Sequence, residues 1–285
     1  MPVYFISYKY LNNFKMDVQK KYIVITGGAG GIGQACAQVF KDQPIILTDY
    51  SQDQVDKAVE SLLKDGFDVS GVSCDITDKK DIDKLAKFVS EKGALKALIH
   101  TAGVSGTVKD LKRVFTIDLI ATELLVDAFY ELAEKDSVAV LLSSMMAHAV
   151  PANPEYDEAL INPQATESFD IVSKFVDGSS DTMYNFAKRG VHLLTQKNAS
   201  KWGGKGARIV TVSPGVIETP MALKAAAEHP ERMEKIKQAT PLKRNGQPED
   251  VAGVVHFLTT DAASFITGTD ILVDGGVIQN IKKMG

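Results

Sequence analysis

The stretch KYIVITGGAGGIGQACAQVFK, residues 21–41, decides how the rest of the chain is interpreted. It begins with a short β-branched run that is typical of a buried strand. The glycine-rich segment TGGAGGIG (26–33) follows and opens into residues with helical spacing. Glycine has no Cβ, so the backbone can turn tightly there and approach a ligand closely. Strand, glycine turn and helix together predict a site where helix N–H groups hold the pyrophosphate of a dinucleotide.

The second predicted strand supplies the acid that such a site needs. The run PIILTD ends at Asp49, about twenty residues after Gly27. A carboxylate in that place accepts hydrogen bonds from the ribose hydroxyls of NAD(H) and repels the 2′-phosphate of NADP(H). Arginine and lysine are absent from the glycine turn and from the position after Asp49, so the sequence favours NAD(H). The structural alternative is an ordinary strand–helix turn, and the acid at this distance argues against it.

Apolar runs alternate with helical patterns along the chain from residue 20 onward. The seven runs that predict strands are KYIVITG, PIILTD, FDVSGVSCD, LKALIHTAG, SVAVLLSS, ARIVTVSPG and TDILVDGG. Strands joined by helices form a parallel sheet with helices on both faces. Residues 20–285 are therefore predicted to form one α/β domain, a Rossmann-type doubly wound fold with a seven-stranded parallel sheet.

Composition limits the classes of partner and the compartment. The 285 residues are 45% apolar, and 36 acidic side chains outnumber 32 basic ones, which argues against a nucleic-acid partner. No apolar run reaches membrane-spanning length. Cys36 and Cys74 are the only cysteines, one in a helical pattern and one beside a strand. Two buried free thiols are expected rather than a disulfide, which favours a cytoplasmic location.

Residues 1–19 precede the first predicted strand and are interpreted as an N-terminal extension. MPVYFISYKYLNNFKM lacks the basic start, apolar centre and small-residue cleavage site of a signal peptide. Two alternatives remain open. Either the native chain starts at Met16 and the extension is disordered, or VYFISY adds a short strand or a partner-contacting arm.

Several motifs, in the same order, resemble those of the short-chain dehydrogenase/reductase family over residues 20–276. TGGAGGIG matches the family's TGxxxGxG, HTAG (100–103) keeps the last two letters of its NNAG, and SPGVIETP and ITGTDILVDGG are similar to its later signatures. The resemblance implies hydride transfer between NAD and a small-molecule alcohol or ketone. The cofactor contacts it implies are Gly27, Gly31, Ile32, Gly33, Asp49, Asp75, Ile76, Ala102, Gly103, Tyr184, Lys188, Pro214, Gly215, Ile217 and Thr219.

The resemblance also assigns catalytic roles on SSDTMYNFAKRG (179–190). Tyr-x-x-x-Lys spacing alone is common on helices. In the family this pair follows the fifth strand, and a serine at the end of that strand faces the tyrosine. Tyr184 and Lys188 match the pair, and Ser144 matches the serine, with Ser143 as the alternative.

The chemistry explains these residue types. Hydride transfer at an alcohol carbon requires a proton to move on its oxygen, which Tyr184 would transfer as acid or base. The Lys188 ammonium, together with the positive nicotinamide ring, is expected to lower the pKa of this phenol from its ordinary value of about 10. Ser144 would hydrogen-bond the substrate oxygen as charge develops on it.

Asp118, in VFTIDLIAT, stands where the family usually has an asparagine that holds a water for a proton relay. An aspartate in that place can also bind water or Lys188, but its charge is expected to restrain proton release. The bland alternative is a solvated helix residue without a special role. Asp118 is also the one feature that favours a dinucleotide-binding sensor without turnover.

The segment between Ser144 and Tyr184 is longer than in most family members. Residues from about 148 to 181 form an insertion with a predicted helix that carries Phe169 and Val172 on the same face as Val176 and ends at Gly178. A similar insertion is known in the bacterial 3α-hydroxysteroid dehydrogenase/carbonyl reductase branch. The resemblance implies a bulky hydrophobic or steroid-like substrate, with a 3-oxoacyl thioester or small ketone as alternatives. It also implies a homodimer rather than a tetramer.

Residues from about 220 to 245 are expected to form a lid beside the nicotinamide. Met221, Leu223 and Met233 are interpreted as its adaptable apolar lining, or as simple packing within the lid. The five histidines show no metal-ligand spacing along the sequence, so no metal is predicted.

Overall fold

Seven parallel strands form one sheet in the order β3-β2-β1-β4-β5-β6-β7. The computed structural model describes residues 19–220, 222 and 230–284. The strands are β1 Lys21–Thr26, β2 Ile45–Asp49, β3 Val69–Ser73, β4 Ala94–His100, β5 Val138–Leu142, β6 Arg208–Pro214 and β7 Asp270–Val273. All six neighbouring pairs run parallel, so the predicted fold class is confirmed.

Helices cover both faces of the sheet. They are α1 Gly31–Gln38, α2 Gln52–Lys64, α3 Lys79–Lys92, α4 Leu111–Phe115, α5 Ala121–Leu132, α6 Pro154–Ile161, α7 Ser168–Ser173, α8 Ser180–Gly204, α9 Pro230–Ala239, α10 Pro248–Leu258 and α11 Val277–Met284. A π-helical turn, Thr116–Ile120, joins α4 to α5, and a 3-10 turn, Met145–Ala149, follows β5.

The sheet separates two apolar cores because alternate side chains of a strand point to opposite faces. Val24 and Leu98 belong to the core under α3, α5 and α8, whereas Ile23 and Ile99 belong to the core under α1, α2 and α10. Burying such a side chain stabilises the fold by about 1.5–3 kcal/mol. Burial on both sides explains why the strands appear as nearly continuous apolar runs in the sequence.

The order of the strands reverses between β1 and β4, and this places the site. Chain segments that leave the carboxyl ends of these two strands turn to opposite faces and leave a crevice between them. Gly27 forms its rim with φ +67°, a conformation that other residues rarely adopt. A Cβ on Gly27 would lie 2.6 Å from the backbone nitrogen of Ala102, so the close approach of the two segments also requires glycine.

The insertion forms two short helices that pack on α8. Asp157 of α6 binds Arg189 of α8 through two hydrogen bonds of 2.6 and 2.7 Å. Tyr156 of α6 packs edge-on against Phe186 of α8, with ring centroids 4.8 Å apart. These contacts hold the insertion against the helix that carries Tyr184.

The predicted end of the insertion's helix is wrong. We expected it to continue to Gly178, but α7 ends at Ser173, and Val176 is buried beyond its last turn. Gly178 takes φ +68° instead, directly before Ser179, which caps the N-terminus of α8. The turn therefore serves the start of α8.

Some predictions fall where the structure is not described. The extension up to residue 18, Met221, Leu223 and the side chain of Met233 lie outside the described residues. Within the described part of the chain, no helix is both long and apolar enough to cross a bilayer.

Candidate active site

A cavity of about 1060 Å³ opens at the carboxyl ends of the central strands. Most of the residues predicted to contact a cofactor line it. These are Gly27, Gly31, Ile32, Gly33, Asp49, Asp75, Ile76, Ala102, Gly103, Tyr184, Lys188, Pro214 and Thr219. Gly215 and Ile217 instead line a smaller neighbouring crevice.

The glycine turn has the shape that a dinucleotide requires. A Cβ on Gly33 would lie 2.2 Å from the carbonyl oxygen of Gly27, so helix α1 approaches the turn more closely than another residue allows. A Cβ on Gly31 would lie 3.0 Å from Cγ2 of Thr219, on the opposite wall. Helix α1 has no side-chain cap at Gly30, which leaves its first N–H groups for a ligand. This cradle fits a pyrophosphate.

Asp49 is fixed beside the glycine turn at the end of β2. Its Oδ2 accepts a hydrogen bond of 3.1 Å from the backbone N–H of Ala29, and its Oδ1 accepts one of 2.7 Å from that of Tyr50. Asp75, after β3, is held by the N–H and the hydroxyl of Thr77. Both carboxylates border the cavity, where they can accept hydrogen bonds from a nucleoside.

Tyr184 and Lys188 lie one turn apart on α8, at the wall of the cavity. The Nζ atom of Lys188 lies 5.6 Å from the centre of the Tyr184 ring and donates a hydrogen bond of 3.3 Å to the carbonyl oxygen of Leu142. The end of β5 therefore helps to fix the lysine.

The two serines after β5 have different partners. The Ser143 hydroxyl donates a hydrogen bond of 2.8 Å to the backbone carbonyl of Lys188. Ser144 caps the following 3-10 turn, accepting from the N–H of Met146 at 3.2 Å, and its hydroxyl lies near enough to Tyr184 to lower the pKa of that phenol. Ser144 is thus the serine beside the phenol, whereas Ser143 borders the cavity and donates its proton to the backbone of α8.

The pKa of Tyr184 is raised above its ordinary value, although Lys188 acts on it in the predicted direction. Burial raises the pKa of this phenol above its ordinary value, and the charge of Asp118 raises it further. The ammonium of Lys188 lowers the pKa, as predicted, and the Ser144 hydroxyl lowers it further, but these effects do not offset burial. The loss of water around the phenol therefore outweighs Lys188 here, and the combined effect of Lys188 and a positive nicotinamide ring stays a prediction.

Asp118 is fully buried, so the alternative of a solvated helix residue is wrong. It lies in the π-helical turn, a local irregularity that is frequent at functional sites. Its Oδ1 accepts a hydrogen bond of 2.9 Å from the N–H of Val104 and lies 3.5 Å from Nζ of Lys188. Its Oδ2 has no hydrogen-bond partner among the described residues.

The buried pair of Asp118 and Lys188 holds its protons strongly. Burial raises the pKa of Asp118, and the attraction of Lys188 offsets only part of this effect. Burial alone would lower the pKa of Lys188, but the charges of Asp118 and Tyr184 raise it. Gly103 lies directly against the pair. A Cβ on Gly103 would lie 2.6 Å from Oδ1 of Asp118 and 3.3 Å from Nζ of Lys188.

His100 connects the glycine turn to the Asp118 turn, a role that sequence reasoning missed. Its Nδ1 lies 2.7 Å from the hydroxyl of Thr26, and its Nε2 lies 3.0 Å from that of Thr122. The Thr122 hydroxyl donates its proton to the carbonyl of Asp118, so Nε2 must be the donor and Nδ1 the acceptor. The departure from NNAG at this position was a signal, but its partners lie far away in the sequence.

Two family profiles match the chain. The one described as short chain dehydrogenase covers residues 21–157, and the one described as Enoyl-(Acyl carrier protein) reductase covers residues 168–278. The chain is 32% identical to the uncharacterized oxidoreductase YxbG of Bacillus subtilis, over 92% of each protein. It is 30% identical to the 7alpha-hydroxysteroid dehydrogenase of Bacteroides fragilis, over 91% of this chain and 95% of that one.

A solved structure has the same architecture. The crystal structure of gox2181 superposes with a TM-score of 0.74 at 27% identity, over 91% of this chain and 96% of that one. The profile matches, the relatives of about 30% identity and the shared fold agree with the motifs that line the cavity. The chain belongs to the short-chain dehydrogenase/reductase family, whose members are oxidoreductases.

Proposed function

We propose that this protein is an NAD(H)-dependent oxidoreductase that interconverts a secondary alcohol and a ketone, with a bulky hydrophobic or steroid-like substrate. The observation that carries the proposal is the position of Tyr184, Lys188 and Ser144. The tyrosine and the lysine border the cavity that contains the glycine turn, and the serine lies beside the tyrosine, where it lowers the pKa of the phenol. One substrate oxygen can then meet both hydroxyl groups beside a bound nicotinamide.

The chain's own residues supply proton transfer and orientation. When bound, the nicotinamide supplies or accepts the hydride. The hydroxyl of Tyr184 gives a proton to the carbonyl oxygen during reduction, and the phenolate of Tyr184 removes a proton from the alcohol during oxidation. Ser144 donates a hydrogen bond to the same oxygen, and Lys188 favours the phenolate form of Tyr184.

The preference for NAD(H) rests on Asp49. Hydrogen bonds from Ala29 and Tyr50 hold this carboxylate at the edge of the cavity, in the place where a ribose would lie. A 2′-phosphate would be repelled there. Two basic side chains, Lys112 and Arg113, also border the cavity. They belong to α4, which follows β4, and not to the end of β2 where Asp49 lies.

A bulky substrate suits the insertion and the relatives. Helices α6 and α7 pack beside the helix that carries Tyr184, and one relative is named as a hydroxysteroid dehydrogenase. Small ketones and 3-oxoacyl thioesters are the alternative substrates. A panel of hydroxysteroids, 3-oxoacyl thioesters and small ketones, followed by NADH absorbance, separates these classes.

We propose a cytoplasmic homodimer. Cys36 and Cys74 are both free and buried, which suits a reducing compartment. The insertion is fastened over α5 and α8, since Gln164 donates a hydrogen bond of 2.9 Å to Glu123 of α5, and Lys197 of α8 donates one of 2.8 Å to the carbonyl oxygen of Ile161. This cover leaves less of these helices for a tetramer contact. Light scattering tests this proposal, since each chain has a mass of 30.8 kDa and a tetramer would contradict it.

Substitution of Tyr184 by Phe tests the assignment of proton transfer. We expect NADH oxidation with a ketone to fall by at least about 100-fold, because acid–base catalysis typically contributes that much. NADH binding, measured by fluorescence, should remain. Tyr130→Phe is the matched control, since Tyr130 lies on α5 against Trp202. Activity that survives in Tyr184→Phe would overturn the assignment.

The second candidate function is a dinucleotide sensor without turnover. The pairing of Lys188 with the buried Asp118 favours it, because the pair ties up the lysine charge that should activate Tyr184. NADH binding with no turnover anywhere in the substrate panel would support the sensor and contradict the enzyme.

A further inference from the structure

Three side chains with metal-ligand chemistry meet outside the cavity. His148 belongs to the 3-10 turn after Ser144, and His192 lies one helical turn after Lys188 on α8. Asp270 is the first residue of β7. The Nε2 atom of His148 lies 2.8 Å from Oδ2 of Asp270, and that of His192 lies 3.2 Å from Oδ1.

The cluster is partly shielded from solvent. The side chains of His148, His192 and Asp270 are 28%, 12% and 12% exposed. Ser213 of β6 completes the surroundings, since its hydroxyl donates to Oδ1 of Asp270 at 2.8 Å and lies 2.8 Å from Nε2 of His192. Burial alone would raise the pKa of Asp270, but hydrogen bonds with His192, Ser213 and His148 bring it below its ordinary value.

We propose that His148, His192 and Asp270 form a binding site for one Zn²⁺ ion. Two imidazole nitrogens and one carboxylate oxygen are a donor set that zinc sites use, with a water at the fourth position. The three ligand atoms lie within 4.8 Å of one another, so small rotations bring each to the usual bond length of about 2.0–2.1 Å. Among the described residues, this is the group of three histidine, cysteine or acidic side chains whose ligand atoms lie close enough together to hold one metal ion.

The surroundings suit a zinc ion held by three protein side chains. Ser213 remains as a hydrogen-bond donor to the ligand Asp270, an arrangement that orients ligands in known metal sites. The ion would join the turn after Ser144, the helix of Lys188 and the edge strand β7. It therefore braces the wall that carries the catalytic groups without contacting them, and none of the three ligands borders the main cavity.

Zinc binding to the full-length protein, purified without a histidine tag and stripped with a chelator, tests this inference. Equilibrium dialysis should find one Zn²⁺ per chain, and Co²⁺ should give visible absorption bands of a four-coordinate site. His148→Gln, His192→Gln and Asp270→Asn should each weaken binding more than about tenfold, since even the outer partners of metal ligands contribute 10–100-fold. Circular dichroism identifies any variant that does not fold. His148→Gln decides whether the proposal holds, because His148 is the most exposed of the three ligands and its replacement disturbs the fold least.

His256→Gln is the matched control, because His256 is exposed and lies away from the cluster. Its ring centroid is 5.6 Å from that of Phe40. It should bind zinc as the unchanged protein does. Binding should also raise the melting temperature of the unchanged protein, but not that of His148→Gln. The proposal is overturned if the unchanged protein does not bind Zn²⁺, or if His148→Gln binds it as tightly as the unchanged protein. The three side chains then form a hydrogen-bonded network and not a metal site.

Discussion

The Nζ atom of Lys188 lies 3.5 Å from Oδ1 of Asp118, and both side chains are buried. The lysine therefore faces two partners, the phenol of Tyr184 on one side and this carboxylate on the other. Each negative charge competes for the same ammonium. The pair sets how far Lys188 can favour the phenolate form of Tyr184, and thus at which pH the tyrosine can act as a base.

Replacing Asp118 by Asn should shift the pH dependence of alcohol oxidation toward lower pH. The carboxylate raises the pKa of Tyr184, so its removal lowers that pKa, and the base form appears at lower pH. The measurement is kcat against pH with saturating NAD⁺ and alcohol. Asp127→Asn, on the exposed side of α5, is the control and should leave the profile unchanged. An acid limb that stays in place or moves upward would contradict the role given to Asp118.

Replacing His100 by Asn should weaken the dependence of stability on acidic pH. Burial lowers the pKa of His100 to about 3, and the charge of Lys188 contributes. The unfolded chain then binds a proton below about pH 6.5 that the folded protein does not bind. Stability present above that pH is therefore lost as the pH falls toward 3, by about 1.4 kcal/mol per pH unit.

Urea unfolding at pH 7, 6 and 5 measures this effect. The Asn variant should be less stable at pH 7, since it loses the bond to Thr26 or to Thr122, but its stability should fall less between pH 6 and 5. His256→Asn, at an exposed histidine, should keep the slope of the unchanged protein. Equal slopes in all three proteins would show that His100 is not the group responsible.

Replacing Asp49 by Ser should relax the proposed preference for NADH. The change removes the negative charge that would repel a 2′-phosphate and one acceptor for the ribose hydroxyls. We expect the ratio of kcat/KM for NADPH to that for NADH to rise at least about tenfold, which corresponds to 1.4 kcal/mol. Asp53→Ser, an exposed acid in the first turn of α2, is the control. A strong preference for NADPH in the unchanged protein would refute the role of Asp49 directly.

Replacing Gly103 by Ala should impair both stability and activity. The new methyl group would lie 2.6 Å from Oδ1 of Asp118 and must displace the buried pair, and overpacking of this kind costs about 1–3 kcal/mol. Gly203→Ala is the matched control, because nothing lies within 4 Å of a Cβ there and alanine favours the helix. Thermal unfolding and NADH oxidation measure the two effects. A Gly103→Ala protein as stable and active as Gly203→Ala would disprove the close contact.

Much of the fold follows from local pattern. The seven strands, the glycine turn and Asp49 at the end of β2 lie where the sequence predicts them. The predicted end of α7 was wrong because the apolar spacing continues to Val176. The helix itself ends at Ser173, and the residues that follow form the turn before the N-terminus of α8. Tertiary packing decided that boundary, not helix propensity.

The sequence by itself determined the class of the fold and the kinds of reactive group, because periodicity and motif spacing are properties of neighbouring residues. Only the tertiary structure decided which groups meet. It placed Asp118 against Lys188, and His148 and His192 around Asp270, through crossovers that join distant parts of the chain. It also decided the sign of the change in the pKa of Tyr184, because burial depends on everything packed around the phenol and not on the residue four positions away.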